Sequence, residues 1–480
     1  MERLNINTIC ALSTVQGKSA IAVIRMSGPD SIKIADTIFT PAKGVSLSQT
    51  SGQRVRFGTI STGEILLDEV LISVFRSPNS YTGEDMVEIS CHGSSYIQQE
   101  ILMLLISRGA KLAKPGEFSQ RSFLNGKMDL AQAEAVADLI ISETEASHRV
   151  ALQQMKGGFS KELTGMRLSL LEIVSLMELE LDFSDEDVEF ADRDKLRTLI
   201  EKVNSHISML IDSFRLGNVI KNGIPVAIAG ATNTGKSTLL NSLLEEERAI
   251  VSEIHGTTRD YIEGLLNIDG VGFRFIDTAG IRETLEKIEI IGIERSYDKI
   301  RGASVVLLML DAQREEYFGL GIKQLSSVID SDNQKIIILL NKTDLLGQVS
   351  DRVYNKNVQN YIKKISELCS DNGIIPVDIL PLSAKEQTGL ENLKAALLKC
   401  RFKDISNSYS TLVTNVRHYE ALKEAKEALL RVLTGMDSSM PTDLLSQDIR
   451  EALFHIGEIV GEISSDEILG NIFGKFCIGK

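Results

Sequence analysis

The amino-acid sequence predicts a multidomain protein with three parts: an N-terminal α/β (α+β) domain, an all-α helical domain, and a doubly wound α/β domain inserted into the helical one. Strand-like and helical segments alternate over residues 1–120 and 223–402, whereas apolar residues recur at helical spacing over residues 121–222 and 403–480. Neither helical stretch is long enough to form a bundle of its own. We therefore expect the two stretches to form one domain that the insertion interrupts.

Length and composition place the chain among globular proteins of more than one domain. It has 480 residues, of which 43% are hydrophobic and 25% are charged. No apolar run approaches the ~18 residues that span a bilayer, and the N-terminus lacks a signal-peptide pattern, so we expect a cytoplasmic protein with no membrane association. A net charge of −14 argues against indiscriminate binding of polyanions but leaves room for a local nucleic-acid site.

The cysteines predict neither a zinc site nor a disulfide framework. They are scattered along the chain without a Cys-x-x-Cys pair, as is usual in a reducing compartment. The five cysteines are Cys10, Cys91, Cys369, Cys400 and Cys477.

The N-terminal domain, residues 1–120, mixes both kinds of element. Strands are predicted at residues 20–25, 55–58, 69–75 and 86–92, and a helix at residues 97–106. By itself, this pattern predicts only a small α/β domain.

The helical domain is predicted from amphipathic faces. The first part, residues 121–222, carries the faces Leu130, Ala133, Ala137, Ile140 and Met166, Leu170, Ile173, Met177, Leu181. The second part, residues 403–480, carries the faces Leu422, Ala425, Leu429, Val432 and Leu445, Ile449, Leu453, Ile456, Val460. Another helix is expected from residue 192 to about residue 214, ending where glycines at 217 and 223 break the pattern.

A phosphate-binding loop opens the inserted domain, residues 223–402, between a predicted strand at 224–229 and a predicted helix. Gly230 and Gly235 are separated by four residues and followed by Lys236 and Ser237. Backbone N–H groups of such a loop contact phosphates, and the helix N-terminus adds its positive dipole. We expect Lys236 to reach the β- and γ-phosphates and Ser237 to ligate Mg²⁺. The loop residues expected at the nucleotide are Asn233, Thr234, Gly235, Lys236, Ser237 and Thr238.

Three more motifs follow predicted buried strands and complete the pattern of a guanine-nucleotide-binding domain. Asp277 can hold Mg²⁺ through water, and the Gly280 N–H can contact a γ-phosphate. The Asp344 carboxylate can accept two hydrogen bonds from guanine that adenine cannot supply. The strands are predicted at 273–276, 304–310, 335–340 and 374–380. The motif residues are Asp277, Thr278, Ala279 and Gly280 after the first strand, Asn341, Lys342 and Asp344 after the third, and Ser383, Ala384 and Lys385 after the fourth.

The segment 252–260 is predicted to be a switch loop. A threonine there can complete the Mg²⁺ shell only when a γ-phosphate is present. The loop residues expected near the nucleotide are Ser252, Glu253, Ile254, His255, Gly256, Thr257 and Thr258. After Gly280, where Ras-like enzymes carry a glutamine that orients the attacking water, this chain has Ile281. The catalytic group must therefore come from elsewhere, or hydrolysis must be slow.

Several residues together resemble one family, the tRNA modification GTPases called MnmE or TrmE, and the resemblance covers the whole chain. They are Asn233, residues 256–260, residues 277–282 and the terminal residues 476–480. One position departs from the family, because Thr232 stands where a proline is usual. This removes a fixed φ angle but no ligand.

The resemblance implies a K⁺-activated GTPase with a Ras-like nucleotide-binding domain, in which K⁺ supplies the charge of an arginine finger. Dimerisation of the nucleotide-binding domains would activate hydrolysis further. By the motif match, K⁺ would be held by Asn233, Ser252, Ile254 and Thr257, and Mg²⁺ by Ser237 and Thr258.

The resemblance also implies an acidic catalytic residue, which matches Glu289 just before residues 291–295. It would orient the attacking water, together with catalytic contributions from Lys236 and Thr258. Glu289 lies among other acidic residues, so a solvated helix surface is the alternative interpretation.

For the N-terminal domain, the resemblance implies a folate-binding-like fold that also forms a constitutive homodimer. Arg25, Glu88, Lys127 and Lys480 would contact 5,10-methylene- or 5-formyl-tetrahydrofolate. Basic groups suit the glutamate carboxylates, and Glu88 can accept hydrogen bonds from the pterin ring. Cys477 could be a buried structural thiol or a chemical participant.

In function, the resemblance implies joint action with an FAD-containing partner, MnmG (GidA), at C5 of the wobble uridine of certain tRNAs. The product would be a carboxymethylaminomethyl-type group whose carbon comes from tetrahydrofolate, and GTP hydrolysis would open and close the nucleotide-binding domains. One alternative is a regulatory or ribosome-assembly GTPase without tRNA chemistry. Another is a folate-dependent transferase that the nucleotide-binding domain only gates. Deletion of residues 476–480 would spare a pure switch and disable a folate enzyme.

Overall fold

A computed structural model of the chain describes most of its length in two compact units. The described residues are 7–63, 65–182, 193–245, 263–276, 299–330, 334–346, 351–400, 411–438, 440–463, 466–474, 476 and 479. The first unit comprises residues 1–140, 152–207 and 420–480, and the second comprises residues 141–151 and 208–419. Within the described part of the chain, no helix is long and apolar enough to cross a membrane.

The strands that the structure describes form one sheet in each unit. In the first unit they are β1 (Ile9–Leu12), β2 (Ile21–Ser27), β3 (Phe39–Pro41), β4 (Arg54–Thr62), β5 (Ile65–Phe75), β6 (Met86–His92) and β7 (Lys111–Leu112). In the second they are β8 (Ile224–Ala229), β9 (Glu263–Ile268), β10 (Val271–Ile276), β11 (Val305–Asp311), β12 (Lys335–Asn341) and β13 (Asp378–Pro381).

Helices make up most of the remaining regular structure. From the N-terminus to the insertion they are α1 (Ser31–Asp36), α2 (Ser95–Ser107), α3 (Glu117–Leu124), α4 (Leu130–Ile141), α5 (Glu145–Met155), α6 (Gly158–Asp182) and α7 (Arg193–Asn222). Beyond them follow α8 (Lys236–Glu245), α9 (Phe318–Ser326), α10 (Asp351–Asp371), α11 (Leu390–Lys399), α12 (Val416–Asp437), α13 (Thr442–Val460) and α14 (Asp466–Phe473).

The sheet of the first unit is almost wholly antiparallel. Its order is β3-β4-β5-β6-β2-β1-β7, and only β1 and β7 pair in parallel. One face carries the alternating apolar residues of β2, β5 and β6, such as Ile24, Ile72 and Ile89, which pack with Ile101 and Leu105 of α2. The predicted strands and helix of this region are confirmed, with longer strands at β4 and β5.

The helical faces bury most of the predicted residues. Every residue of the two predicted faces on α12 and α13 is buried. They are Leu422, Ala425, Leu429 and Val432 on α12, and Leu445, Ile449, Leu453, Ile456 and Val460 on α13. On α4, Leu130 and Ala133 are buried, but Ile140 is 42% exposed. The period of 3.6 residues therefore identified the core side of α12 and α13, whereas the placement of Ile140 on the core side of α4 was wrong.

The sheet of the second unit is doubly wound, with one addition to the prediction. Its order is β13-β12-β11-β8-β10-β9, and all pairs are parallel except that β9 runs antiparallel to β10. The turn between them is Asp269-Gly270, whose φ angles are 48° and 81°. An Asp-Gly pair with two positive φ angles is typical of a tight hairpin, so this edge strand could have been predicted from the dipeptide.

Two predicted boundaries were wrong. Helix α7 continues through Gly217 to Asn222. Gly217 does not end the helix but leaves room for Val413, whose carbonyl oxygen would lie 2.2 Å from a Cβ added at Gly217. The helix ends before Gly223, which has a φ of 80° and so provides the left-handed terminator. The strand expected at 374–380 is limited to β13, and Ile374 is a buried residue before it.

Candidate nucleotide-binding site

The phosphate loop connects β8 to α8 and depends on two glycines. Gly230 has a φ of 148° and Gly235 a φ of 99°. A Cβ at Gly230 would lie 2.6 Å from the carbonyl oxygen of Met309, and one at Gly235 would lie 2.4 Å from Nδ2 of Asn341. Both positions therefore require glycine for space as well as for backbone conformation.

Within the loop, Lys236 and Thr234 fix the backbone. Nζ of Lys236 donates to the carbonyl oxygens of Gly230 and Ala231, in each case across 2.8 Å. The hydroxyl of Thr234, which is 4% exposed, donates to Ala231 across 2.9 Å. The ammonium group is thus held against the first two residues of the loop that is predicted to bind phosphates.

Asn233, Ser237 and Thr238 are exposed around this loop. Asn233 has a φ of 64°, in the left-handed region that asparagine tolerates better than other non-glycine residues. Ser237 lies in the first turn of α8, next to Lys236. Their side chains are accessible to a nucleotide and its cations.

Asn341, at the end of β12, joins the phosphate loop to the loop after β13. Its Nδ2 donates to the carbonyl oxygen of Thr234 across 2.7 Å, and its Oδ1 accepts from the N–H of Ala384 across 3.0 Å. The residue is 2% exposed, so both bonds lie in a protected environment. One side chain therefore sets the spacing of two loops that are 107 and 43 residues away in sequence.

Lys342 is held by a residue that the sequence analysis missed. Its Nζ lies 2.7 Å from Oδ2 of Asp311, at the end of the neighbouring strand β11, and Asp311 is 7% exposed. The backbone of Lys342 has a φ of 64°. The signal for Asp311 was an acidic residue directly after a buried apolar strand, in register with Asn341. The pair holds the ammonium group of Lys342 at the end of β11.

The loop after β13 is closed by its own backbone. Ser383 and Thr388 exchange two N–H to carbonyl bonds of 3.0 and 3.1 Å, and the hydroxyl of Ser242 donates to the carbonyl oxygen of Ala384 across 2.8 Å. Ser383 and Ala384 are buried, whereas Lys385 and Asp344 are exposed. The exposed carboxylate of Asp344 remains available to a guanine base.

The other predicted nucleotide residues lie outside the described part of the chain. This holds for the switch-loop residues Ser252, Glu253, Ile254, His255, Gly256, Thr257 and Thr258. It also holds for Asp277, Thr278, Ala279, Gly280 and Glu289. Their assignments stay predictions.

In the first unit, the predicted folate residues Arg25 and Glu88 lie opposite each other on β2 and β6. Nε of Arg25 donates to Oε1 of Glu88 across 2.9 Å, and its Nη2 lies 2.8 Å from the same oxygen. Glu88 and Lys127 both line a cavity of about 420 Å³. Nζ of Lys127 donates to the carbonyl oxygen of Pro78 across 3.0 Å. Lys480 lies outside the described residues.

The four described cysteines are unsuited to nucleophilic chemistry. Burial raises the pKa of Cys10, Cys91, Cys369 and Cys400 to about 11 in each case. All four are free thiols, so they stay protonated near neutral pH. Cys477 lies outside the described residues, so its role as a structural thiol or as a chemical participant stays a prediction. Among the described residues, no group of three or more His, Cys, Asp or Glu side chains could hold a metal ion.

Two family models match the chain. The model of the MnmE helical domain matches residues 130–477, and the model of the GTP-binding protein TrmE N-terminus matches residues 8–127. Together they cover the chain from the first strand to the C-terminal segment.

Curated relatives match over the full length. The tRNA modification GTPase MnmE of Bacteroides thetaiotaomicron is 51% identical over 480 residues, covering 99% of this chain and 100% of the relative. That of Flavobacterium psychrophilum is 49% identical over 474 residues, with 99% of each chain covered.

Solved structures match over part of the chain. A GTP-binding protein of Sulfolobus solfataricus in complex with GDP is 18% identical, with a TM-score of 0.30, over 53% of this chain and 71% of that one. Era from Aquifex aeolicus, bound to GDP and aluminium fluoride, is 29% identical, with a TM-score of 0.28, over 43% of this chain and 66% of that one.

Proposed function

Because this chain belongs to the MnmE (TrmE) family of tRNA modification GTPases, we propose that it is a K⁺-activated GTPase that helps to modify C5 of the wobble uridine in certain tRNAs. As a member of this family, the chain is an enzyme that hydrolyses GTP and acts in tRNA modification. Beyond this activity, we propose K⁺ as the activating cation, a folate as the one-carbon donor, an FAD-containing partner and the wobble uridine as the site on tRNA.

The observation that best supports GTP binding is the pair of hydrogen bonds made by the Asn341 side chain, which we call the Asn341 bridge. It connects the phosphate loop to the loop after β13 and leaves Asp344 exposed beside it. A triphosphate and a guanine base require these two regions to keep a fixed separation, and a buried side-chain amide provides it. GTP is thus a ligand that suits both the phosphate loop and the predicted guanine-binding residues.

We place Mg²⁺ at Ser237, with Thr258 as its second protein ligand. The Ser237 hydroxyl is exposed at the start of α8, and hydroxyl oxygens are suitable Mg²⁺ ligands. A bound Mg²⁺ would neutralise charge between the β- and γ-phosphates.

We place K⁺ at Asn233, with Ser252, Ile254 and Thr257 as further ligands. Asn233 fits the requirement in the part that the structure describes, since it is exposed in the loop and carries an amide oxygen. A monovalent cation there would supply the positive charge that an arginine finger supplies elsewhere. Glu289 is proposed to orient the attacking water, since Ile281 cannot.

We propose the cavity at Glu88 and Lys127 as the site of a reduced folate, either 5,10-methylene- or 5-formyl-tetrahydrofolate. Its volume of about 420 Å³ falls in the range of small-molecule pockets. A carboxylate for the pterin N–H groups and an ammonium for a glutamate carboxylate both line it, and Tyr81 and Phe75 add aromatic surface. The residues present therefore fit a folate, whose one-carbon unit would be transferred to the tRNA base.

A homodimer through the N-terminal sheet is supported by its exposed apolar residues. Val55, Phe57 and Leu71 are 59%, 51% and 48% exposed, and Phe57 pairs with Leu71 across β4 and β5. An apolar sheet face of this kind is usually covered by another protein surface. A second copy of this chain is our proposed cover.

We propose that the wobble base is modified together with an FAD-containing partner of the MnmG (GidA) type, in the cytoplasm, where tRNA and GTP are both present. GTP hydrolysis would drive conformational cycling of the nucleotide-binding domains. The family assignment, which covers the whole chain, supports this proposal.

The test is to express the chain in a bacterium that lacks its own homologue and to measure wobble-uridine modification by mass spectrometry of tRNA nucleosides. Wild-type protein is expected to restore the carboxymethylaminomethyl-type nucleoside, whereas Lys236→Ala and a chain without residues 476–480 are expected not to. Restoration by both variants would contradict the proposal. Restoration by Lys236→Ala alone would contradict the proposed role of GTP hydrolysis, and restoration by the truncated chain alone would favour a switch that needs no folate residues.

A further inference from the structure

Arg25 connects two distant parts of the first unit. Its Nη1 donates to the carbonyl oxygen of Gly479 across 3.2 Å, and its Nε and Nη2 engage Glu88. We call Arg25, Glu88 and Gly479 the tail clasp. The bond to Gly479 spans 454 residues of sequence, so the clasp attaches Gly479 to the sheet.

The guanidinium of Arg25 is held from several sides. Its central carbon lies 5.3 Å from the centre of the Tyr81 ring and 5.7 Å from that of Phe118. The Arg25 side chain is 18% exposed. With each of its three nitrogens bonded to the protein, the group is oriented by the fold before any ligand arrives.

Gly479 is adapted to this position. It has a φ of 92°, and an added Cβ would lie 2.2 Å from the carbonyl oxygen of Leu12 and 2.9 Å from Cα of Ser13. The hydroxyl of Ser13 donates to the same Gly479 carbonyl across 3.2 Å. Any side chain at residue 479 would therefore move the backbone of this residue away from β1 and from Arg25.

Glu88 is the member of the clasp that reaches the cavity. It lines the cavity with Tyr81 and Lys127, whereas Arg25 and Gly479 are not among the lining residues. The charge-assisted bonds from Arg25 determine where the Glu88 carboxylate lies. A ligand that bonds to Glu88 is thereby connected through Arg25 to the docked tail.

We infer that Arg25 is a positioning residue, which couples docking of the C-terminal tail to the orientation of Glu88 in the cavity. This inference rests on the proposed reduced-folate site, and it gives Arg25 a positioning role in addition to the folate contact that the family resemblance implies. Coupling of two sites is reciprocal: a tail that stays docked strengthens ligand binding, and a bound ligand holds the tail in place.

The first experiment compares Gly479→Ala with Gly470→Ala. The control glycine lies in α14, and an added Cβ there meets nothing within 4 Å. Binding of 5-formyltetrahydrofolate to the full-length protein is measured by calorimetry. Gly479→Ala is expected to weaken binding roughly tenfold, as for loss of one hydrogen bond to a charged group, and Gly470→Ala to leave it unchanged. Equal affinity in both variants would overturn the coupling.

The second experiment reads the tail itself, by hydrogen–deuterium exchange of the peptide that covers residues 474–480. Arg25→Lys keeps the charge but loses the fork that engages Glu88 and Gly479 together, and Arg108→Lys, at an exposed arginine, is the control. Faster tail exchange is expected in Arg25→Lys and Gly479→Ala alone, and slower exchange when 5-formyltetrahydrofolate is added to the wild type. Tail exchange unchanged by Arg25→Lys would overturn the inference.

The two proposals fail in distinguishable ways. If the wild type does not bind 5-formyltetrahydrofolate, the folate proposal fails, and the exchange rates of the two variants without ligand still decide whether Arg25 holds the tail. If the wild type binds it and Gly479→Ala binds equally well, the folate proposal stands and the coupling fails. Binding by the Arg25→Lys, Gly479→Ala double variant should match that of Arg25→Lys, since both changes open the same clasp.

Discussion

The side-chain amide of Asn341 donates to the carbonyl oxygen of Thr234 across 2.7 Å, and this bond holds the phosphate loop against the end of β12. The same side chain accepts from Ala384, so removing it affects both loops at once. The geometry of the nucleotide site therefore depends on a residue that need not touch the nucleotide.

We predict that Asn341→Ala lowers both stability and nucleotide affinity. It leaves a buried carbonyl oxygen and a buried N–H without partners, which costs about 1–3 kcal/mol for each group. We expect the free energy of unfolding in urea to fall by about 2–6 kcal/mol and GDP affinity by at least about tenfold. Asn222→Ala removes an exposed bond to Asn218 and is the matched control, with an expected change within about 0.5 kcal/mol. Wild-type GDP binding in Asn341→Ala would show that the bridge does not organise the site.

Gly235→Ala is predicted to abolish nucleotide binding. The new Cβ would lie 2.4 Å from Nδ2 of Asn341, and the φ of 99° is unfavourable for alanine. Fluorescent GDP titration should show no saturable binding, whereas Gly302→Ala, where an added Cβ meets nothing within 4 Å, should titrate like the wild type. Comparable titrations of the two variants would refute the steric argument.

Asp344→Asn is predicted to change the base that the protein prefers. The exposed carboxylate of Asp344 can accept from two N–H groups of guanine, but an asparagine amide presents one acceptor and one donor. Xanthine offers a carbonyl where guanine has its amino group, so xanthosine triphosphate should bind the variant better than GTP. Competition between GTP and xanthosine triphosphate measures the change. A variant that still prefers GTP would mean that another residue reads the base.

Much of the nucleotide site could be predicted because each motif follows a buried strand. The ends of parallel strands meet at one edge of a sheet, so the order of Gly230, Asn341 and Ser383 along the chain fixed their neighbourhood in space. The bridge from Asn341 and the pairing of Asp311 with Lys342 could not be predicted, since they depend on side-chain positions on adjacent strands. Gly217 misled the prediction because it serves close packing rather than a helix end.

The first unit was less predictable. Alternation identified its strands, but the pairing of Arg25 with Glu88 depends on register, and the bond from Arg25 to Gly479 joins the two ends of the chain. Contacts at such separation leave no local pattern in the sequence.

The buried thiols give a prediction for alkaline pH. Burial raises the pKa of Cys10 from its ordinary value of 9.0 to about 11, so the folded state keeps a proton that the unfolded state loses. This contribution to stability is complete below pH 9 and is lost as pH rises towards 11. The stability advantage of wild type over Cys10→Ala, measured by urea unfolding, should therefore shrink across that interval. An advantage that stays constant with pH would mean that the Cys10 thiol is not protected in the fold.

The most direct test of the proposed K⁺-activated GTPase is steady-state GTP hydrolysis in K⁺ and in Na⁺ at equal ionic strength, with Asn233→Ala alongside the wild type. Asn222→Ala controls for loss of an exposed asparagine outside the phosphate loop, at the end of α7. The account predicts strong activation by K⁺ in the wild type and in the control, and none in Asn233→Ala, while all three bind GDP. Equal rates in the two salts, or K⁺ activation that survives in Asn233→Ala, would contradict it.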